Sequence, residues 1–599
     1  MQDVAITIGG AAGQGLVTIS DMLLKLLSRT GRHVFAIQDY MSRVRGGHNF
    51  MRIRISGERK FANTEKTNIL VALDQRTVVE HLESLEDPAL VLHDTETVGP
   101  VDAACATFVG IPISASVPDG NKVFGNSVAF GAVISILGLD LEPAKEIISQ
   151  HFGGKGREAV EKNLRAAAKG YAHIKSDHAE LILRLPDGIK KPAMLINGAE
   201  ALGLGMIAGG LRFISAYPMS PSTSIFNYVT RHAGKLGILS EQAEDEIASV
   251  NMALGASAAG ARAATTTSGG GLDLMAEGIS LAGISETPVV INNIQRPGPA
   301  TGQPTRTAQE DLDLVLNMGH GEFPRFVFAP GTAEEAFYTA AGAMNLADKY
   351  QVPVFILGDQ LLVDSYTTLP GLDLEKAKYQ GHLADPAKVA RPYKRYLLTP
   401  DGVSPRLPYG AEGARVMFDS HLHDETGLIT EEPAMAKKMT EKRFLKLRGM
   451  SREPFRPVRY GHKKPEMSLV CWGSTYGAVR EAVDLLNAGG ARAEMIHFNR
   501  LSPFPVREAV ALLRGKKSVR VVEGNHSSQL GRLIARETSI KTGESVLRYD
   551  GRPFTASYVI ENLKRVGKWK LKMSFSSKAK RRGARGAATS ASSRPSKRR

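Results

Sequence analysis

Two stretches of the chain combine charged residues with special backbone in ways that invite chemistry. "EQAEDEIASVNMALGASAAGAR" (241–262) runs from an acidic head into a helix-like segment of Ala, Gly, Ser and Met. Its last carboxylate, Glu246, sits where the chain turns apolar, a place that disfavours a charge unless something compensates it. Glu241, Glu244 and Asp245 read as ordinary first-turn acids, favoured by the positive end of the helix dipole. "NNIQRPGPATGQPTRTAQEDL" (292–312) follows the apolar run "TPVVI", at the edge where α/β sheets bind ligands. Arg296, fixed by the proline after it, could form a bidentate pair with a carboxylate, and this outweighs a surface salt bridge.

Three further stretches carry weaker signals. In "SAYPMSPST" (215–223), Pro218 and Pro221 stiffen a loop bearing Ser220, Ser222 and Thr223. Such a loop can orient a polar ligand, although capping of the following helix is the commoner role for Ser222 or Thr223. "SRVRGGHNFMRIRIS" (42–56) places Arg43, Arg45, a Gly pair and His48 before an alternating strand. The arginines could face a phosphate or carboxylate; taken alone, the stretch reads as an exposed basic hairpin or a subunit contact. "GGAAGQG" (9–15), with Gly10, Gly13 and Gly15, could present backbone N–H groups to an anion or simply make a tight turn, and the two readings weigh equally. Its spacing departs from the dinucleotide pattern, and no acid ends a clear second strand about 20 residues on.

Rigid elements must hold these residues. "VAITIGG", the Gly-rich turn and the amphipathic "LVTISDMLLKLLSRTG" predict strand, turn and helix. "NILVALD" (68–74) and "ALVLHD" (89–94) predict buried parallel strands, and "FGAVISILG" with "VEKNLRAAAKGY" predicts helices closing a first α/β domain over 1–185. Strand and helix alternate again through "AMLINGAEALGLG", "ARAATTTSGGG", "TPVVINNIQRPGP" and "VPVFILGDQ", a second α/β unit over 193–370. Over 371–466 the pattern weakens and Pro, Tyr, Arg and His become common, as in a connector with functional loops. A third parallel α/β unit covers 467–565, and the basic, Ser- and Ala-rich tail 568–599 holds too little apolar surface to fold alone.

The totals limit the function classes. A chain of 599 residues suits about three to five domains. Its longest apolar runs, such as "NSVAFGAVISILGLDL" (126–141), contain glycine and fall short of the ~20 residues that cross a bilayer, so no membrane span is expected. "MQDVAITIGGAAGQG" lacks the basic start and long apolar stretch of a signal peptide, which makes cytoplasm the expected compartment. Two cysteines, Cys105 and Cys471, cannot frame a disulfide network or ligate an iron–sulfur cluster. Of the formal net charge of +15, twelve Lys or Arg and no acid lie in 568–599, leaving +3 for the rest. The basic signal therefore belongs to the tail, where a solvated extension is expected and nucleic-acid binding is the minority outcome.

Together, "SAYPMSPST", "EQAEDEIASVNMALGASAAGARAATTTSGGG", "INNIQRPGPATGQPTRTAQEDL" and "VVEGNHSSQLGRL" resemble the alpha subunit of 2-oxoacid:ferredoxin oxidoreductases. "TIGGAAGQG" with "SRVRGGHNFMRIRIS" resembles the gamma domain of the same enzymes, fused in front. The resemblance runs from Met1 to about Glu561 and is strongest to the two-subunit type that includes 2-oxoglutarate:ferredoxin oxidoreductase. It implies three α/β domains: a gamma domain, a pyrimidine-binding domain for thiamine diphosphate, and a transketolase C-terminal-like domain. It further implies that Glu246 hydrogen-bonds N1′ of the cofactor pyrimidine from an apolar pocket, where a raised proton affinity suits a shared proton. Arg296 would hold a carboxylate of the 2-oxoacid. The hydroxyl of Ser220, where many relatives have Thr, would face substrate or cofactor. "SHLHDETG" (420–427) resembles a mobile loop near the active site and makes Asp424 a candidate. His421 and His423, with no adjacent third ligand, read as a solvated loop rather than a metal site. In the gamma domain the motif residues are Gly10, Gly13, Gly15, Arg45 and His48.

The implied reaction is the thiamine diphosphate- and coenzyme A-dependent oxidative decarboxylation of a 2-oxoacid, with electrons passing to ferredoxin. 2-Oxoglutarate, giving succinyl-CoA, is the expected substrate, with pyruvate or branched-chain 2-oxoacids as alternatives. The chain offers no cysteine set for iron and no acidic Gly-rich motif for a Mg²⁺–diphosphate. Mg²⁺ and [4Fe–4S] are therefore expected on a beta subunit, in an αβ pair that is doubled. Two readings from other classes stand beside this one: an NAD-dependent dehydrogenase using "GGAAGQG", and a nucleic-acid-binding protein acting through its tail.

Overall fold

The structure, a computed structural model, describes residues 3–42, 47–101, 103–118, 122–189 and 191–566. Arg43, Arg45 and the basic tail lie outside the described residues. Three sheets organise the described residues. In the first, the apolar strand Asp3–Ala11 is buried along almost its whole length, packed under the amphipathic helix Leu16–Arg29. It pairs in parallel with Thr67–Ala72, which continues in parallel through Leu85–Asp94 to Ala106–Ile111. On its other side come the antiparallel strands His48–Ser56 and His33–Asp39. Two strands from the second unit, Tyr366–Leu369 and Met194–Asn197, extend this sheet to eight. Backbone hydrogen bonds thus join the first and second units and cover a sheet edge that would otherwise be open.

The strand after the Gly pair is no exposed basic hairpin, because both its faces are covered. Arg54 is buried and bridges the first and third units: it donates to both oxygens of Glu481, at 2.6 and 2.8 Å, and to Asp3 at 2.6 Å. The expectation about a second strand also needs correcting, since His33–Asp39 does end on an acid. Dinucleotide binding gains nothing from it. Asp39 is held by Arg306 and Arg552, and its strand lies beyond an antiparallel neighbour instead of beside Asp3–Ala11. At the Gly-rich turn, Gly13 and Gly15 have φ of 93° and 82°. A Cβ on Gly15 would fall 1.7 Å from Asn126 Nδ2, and one on Gly10 would fall 2.6 Å from Gln14 Oε1. The protein's own side chains therefore fill the space at Gly10 and Gly15, while Gly13 faces open space. His48, the register partner of Ala11, is buried against His81, with Nε2 to Nε2 at 2.9 Å, and burial lowers the proton affinity of both rings.

The second sheet has seven strands in the order Arg500–Ser502, Phe326–Phe328, Pro353–Asp359, Val289–Gln295, Ala263–Thr267, Phe213–Ala216 and Leu239–Gln242, all parallel except the first. Four of its strands, Phe326–Phe328, Pro353–Asp359, Val289–Gln295 and Ala263–Thr267, are buried at every position, as parallel strands covered on both faces are. The third sheet orders Val458–Gly461, Ala493–Phe498, Met467–Trp472, Val519–Glu523 and Val546–Leu547 around a parallel centre. Between them, residues 378–432 form one isolated bridge, His423 to Ile429, and no helix or longer strand. The helix Pro433–Met450 closes this connector, and periodicity does not predict it because its inward residues include Lys442, Arg443 and Lys446.

Candidate active site

Ala263–Thr267 and Val289–Gln295 are parallel neighbours, so their C-terminal ends open onto one edge. The helix Glu246–Ala258 starts at this edge. Asp245 caps it by accepting from the Ala248 N–H at 2.7 Å. Of the four acids in the stretch, only Asp245 and Glu246 belong to the helix start; Glu241 lies in the strand Leu239–Gln242 and Glu244 in the bend after it. Glu246 is the first helical residue and is only 3% exposed. Among the described residues its Oε1 has no hydrogen-bond partner. Burial raises its proton affinity and Asp245 adds to this, while its own backbone N–H and the Arg296 charge pull the other way. An acid kept reluctant to ionise, with one bare oxygen, can share a proton with a ligand.

Two glycines at the start of the helix Gly269–Leu274 define the space around it. A Cβ on Gly271 would lie 2.5 Å from Glu246 Oε1, and one on Gly269 would lie 3.2 Å from Asp311 Oδ2. Asp311 is a second acid with raised proton affinity, pushed up to about 6 by burial. Asn293 donates to it at 2.8 Å, and its backbone N–H is held by Gln295 Oε1 at 3.0 Å. Arg296 stands at the end of the strand that carries both partners, and its charge favours the ionised form of each acid. It is buried, donates from Nη1 to the Ser220 carbonyl at 2.7 Å, and leaves Nε without a partner. Ser268 Oγ and Asn293 Oδ1, both buried near these strand ends, also lack partners. The edge thus gathers unsatisfied buried polar atoms, which in a folded protein call for a ligand, a partner chain or water.

The structure brings Glu246, Arg296 and Ser220 together. Ser220 is exposed, and its carbonyl, not its hydroxyl, meets Arg296. Ser222 does not cap the helix Thr223–Leu236; its hydroxyl donates to the Met219 carbonyl at 2.7 Å. Asp424 is not brought to this edge within the chain. Its Oδ1 accepts from Thr426, Gly427 and Leu428, which folds its own loop tightly and lowers its proton affinity despite some burial. That loop packs through His423, whose ring is tilted 32° against Tyr396 with centroids 3.8 Å apart, and the Tyr396 hydroxyl reaches the Ser285 carbonyl before the strand Val289–Gln295 begins. This is the opposite end of the strands. His423 is fully buried, so the pair His421 and His423 is not simply a solvated loop. Gly269, Gly271, Asn293 and Asp311 were not singled out from the sequence. The signal for Asn293 was available, since two amides interrupt the otherwise apolar strand "VVINNIQ".

Three family models match this chain in order. Residues 5–173 match pyruvate ferredoxin/flavodoxin oxidoreductase, residues 204–442 the thiamine diphosphate-binding part of pyruvate flavodoxin/ferredoxin oxidoreductase, and residues 465–559 core domain II of pyruvate:ferredoxin oxidoreductase. The alpha subunit of 2-oxoacid:ferredoxin oxidoreductase 2 from Aeropyrum pernix is 31% identical, covering 94% of this chain and 98% of its own. The 2-oxoglutarate synthase subunit KorA of Methanocaldococcus jannaschii is 32% identical over 54% of this chain and 86% of its own. The solved 2-oxoglutarate:ferredoxin oxidoreductase from Magnetococcus marinus, with 2-oxoglutarate, coenzyme A and succinyl-CoA bound, matches with a TM-score of 0.88 and 32% identity over 94% of this chain and 99% of that one. Fold and site together define an oxidoreductase subunit of α/β type. More narrowly, the chain belongs to the 2-oxoacid:ferredoxin oxidoreductase family, as an alpha subunit with the gamma domain fused in front.

Proposed function

We propose that this chain is the fused gamma–alpha subunit of a cytoplasmic 2-oxoglutarate:ferredoxin oxidoreductase that forms succinyl-CoA. The observation that carries the reading is the bare, buried Oε1 of Glu246, facing the Gly271 backbone beside Arg296. This donor and acceptor set fits the pyrimidine end of thiamine diphosphate: an acid able to share a proton with a ring nitrogen, and a side-chain-free wall for a flat ring. When bound, that cofactor supplies the electron sink for decarboxylation. Glu246 holds the proton at Oε1, the small residues behind it admit a close approach, and Arg296 orients the 2-oxoacid carboxylate through its free Nε.

The remaining parts are assigned to a beta subunit: Mg²⁺, the diphosphate end and a [4Fe–4S] cluster that passes electrons to ferredoxin, in a doubled αβ assembly. In support, the chain carries only two cysteines. Apolar side chains on the elements around the same edge are also left open, with Tyr217 at 40%, Ile247 at 45%, Met252 at 41% and Leu274 at 50% exposure. The choice of 2-oxoglutarate rests on the KorA relative and on the ligands of the M. marinus enzyme. The test is viologen reduction by the chain purified with its iron–sulfur partner, with thiamine diphosphate, coenzyme A, and either 2-oxoglutarate or pyruvate. Faster reduction with 2-oxoglutarate is expected. A preference for pyruvate would move the substrate, and no coenzyme A-dependent reduction with any 2-oxoacid would overturn the reading.

A further inference from the structure

We propose that Asp39 is a positioning residue through which the gamma domain holds the loop 297–311, between Arg296 and Asp311, in its substrate-facing shape. The proposal rests on Arg296 as the 2-oxoacid contact. That loop has no helix or strand of its own, and one of this length needs anchors if a residue at its root is to be held within a fraction of an ångström. Two kinds of anchor are present. From the third unit, Gln309 is fixed to Gly524 by a reciprocal pair, its N–H donating to the Gly524 carbonyl and its Oε1 accepting from the Gly524 N–H, both at 2.8 Å. The Thr307 N–H reaches the Gly551 carbonyl at 3.4 Å.

From the gamma domain comes a charged anchor. Asp39 Oδ2 accepts from Arg306 Nη1 and from Arg552 Nη1, each at 2.7 Å, so one carboxylate ties the loop to the third unit. The Asp39 and Arg306 side chains are 15% and 16% exposed, which sets this pair apart from a water-screened surface bridge. The next residue grips the other side of the Arg296 root. Tyr40 donates to Asp364 Oδ2 at 3.0 Å, at the end of the short helix Gln360–Asp364, which directly follows the strand Pro353–Asp359. In that strand Asp359 is the register partner of Gln295, the residue before Arg296. One strand end of the gamma domain therefore touches both the loop leaving Arg296 and the element beside it.

The test uses the full complex with Asp39→Asn, which keeps the shape and removes the charge, and with Asp39→Glu, which restores it. In Asp39→Asn the KM for 2-oxoglutarate is expected to rise about 5- to 20-fold with kcat within about twofold, and Asp39→Glu to recover most of the loss. Amide exchange over 297–311 should quicken about tenfold while the helix Thr223–Leu236 keeps its native rates. Unchanged exchange in that loop would overturn the clamp. Faster exchange with an unchanged KM, in an enzyme that turns over 2-oxoacids, would overturn the positioning role. A native complex that turns over no 2-oxoacid would instead sink the functional reading, and the exchange comparison would still decide the clamp.

Discussion

Gly271 stands directly against Glu246: a Cβ there would lie 2.5 Å from Glu246 Oε1 and 2.4 Å from Thr267 Oγ1. The free face of the carboxylate is bounded by bare backbone, so any side chain at 271 meets Glu246 and, under the proposed function, takes the place of the cofactor ring. Gly271→Ala is expected to lower turnover about 100-fold by turning the carboxylate aside, because small misplacements at a reacting site are costly. Thiamine diphosphate titration of the same variant should show weakened binding. Native affinity and native turnover together would remove Glu246 from the cofactor site.

Glu246→Gln separates charge from shape. Burial holds the folded-state proton affinity above the ordinary carboxylate value, so the native protein loses stability as pH rises through that raised value. The amide has no charge to desolvate. Thermal unfolding of Glu246→Gln should therefore occur at or slightly above the native temperature at pH 8, with a smaller difference at pH 5. Turnover should meanwhile fall about 10²- to 10⁴-fold, the usual worth of a positioned acid–base group. A variant that is less stable at pH 8 and fully active would contradict both halves.

Arg296 is anchored through Nη1 on the Ser220 carbonyl, which leaves the rest of the guanidinium fork to a substrate. Lysine can supply a point charge but cannot span the anchor and a carboxylate at once. Arg296→Lys is expected to raise the 2-oxoacid KM about tenfold and the coenzyme A KM much less. Steady-state kinetics with both substrates varied would check this, and equal shifts would place Arg296 away from the 2-oxoacid.

Asp311 gives a stability signature at the same edge. Its acid titrates near 6 in the folded chain against 3.8 for the ordinary side chain. The folded state thus binds more protons than the unfolded one between those values, and stability falls as pH rises from about 4 to above 6. Asp311→Asn removes that loss while keeping an oxygen for the Asn293 amide, which now donates to it at 2.8 Å. The variant is expected to gain on the native chain on going from pH 4.5 to pH 7.5, by at most about 3 kcal/mol at 1.36 kcal/mol per pKa unit. Denaturant unfolding at the two pH values would show it; parallel curves would mean that Asp311 is not desolvated.

What was legible in the sequence follows from how local the cause is. The strand Asp3–Ala11 and the helix Leu16–Arg29 came from apolar periodicity and a glycine stop, and the sheet edge carrying Glu246 and Arg296 came from motifs next to apolar strands. Two further features are set by neighbours distant in sequence. Tyr366–Leu369 and Met194–Asn197 join the first sheet because an edge strand is there to receive them, which no local pattern records. The helix Pro433–Met450 hides its inward face because that face is cationic, and it becomes a core element only when Glu286 lies opposite. The Ser220 contact is of the same kind: a motif names the residue, but only the fold shows that its carbonyl accepts from Arg296.

That cationic face supplies the last prediction. Glu286 receives Lys442 Nζ on both oxygens, at 2.7 and 2.8 Å, and Lys446 Nζ at 2.5 Å, with all three side chains 1% exposed. Two ammonium groups share one carboxylate, so one cation is under-compensated. Burial accordingly pushes the Lys446 ammonium down to about 7 from 10.5, against the pull of Glu286. A lysine whose folded pKa lies below its unfolded value binds fewer protons in the folded state between the two, so stability should rise as pH climbs from about 7 toward 10. Lys446→Met fills a similar volume without the charge and should abolish that rise at little cost near pH 7. Glu286→Gln strands both ammonium groups and should cost about 3–5 kcal/mol, as breaking a buried pair does. Denaturant unfolding of both variants at pH 7 and pH 9 tests the assignment. A native-like pH slope in Lys446→Met would show that the under-compensated charge lies on Lys442 or elsewhere, whereas a mild Glu286→Gln would mean that water reaches the three groups.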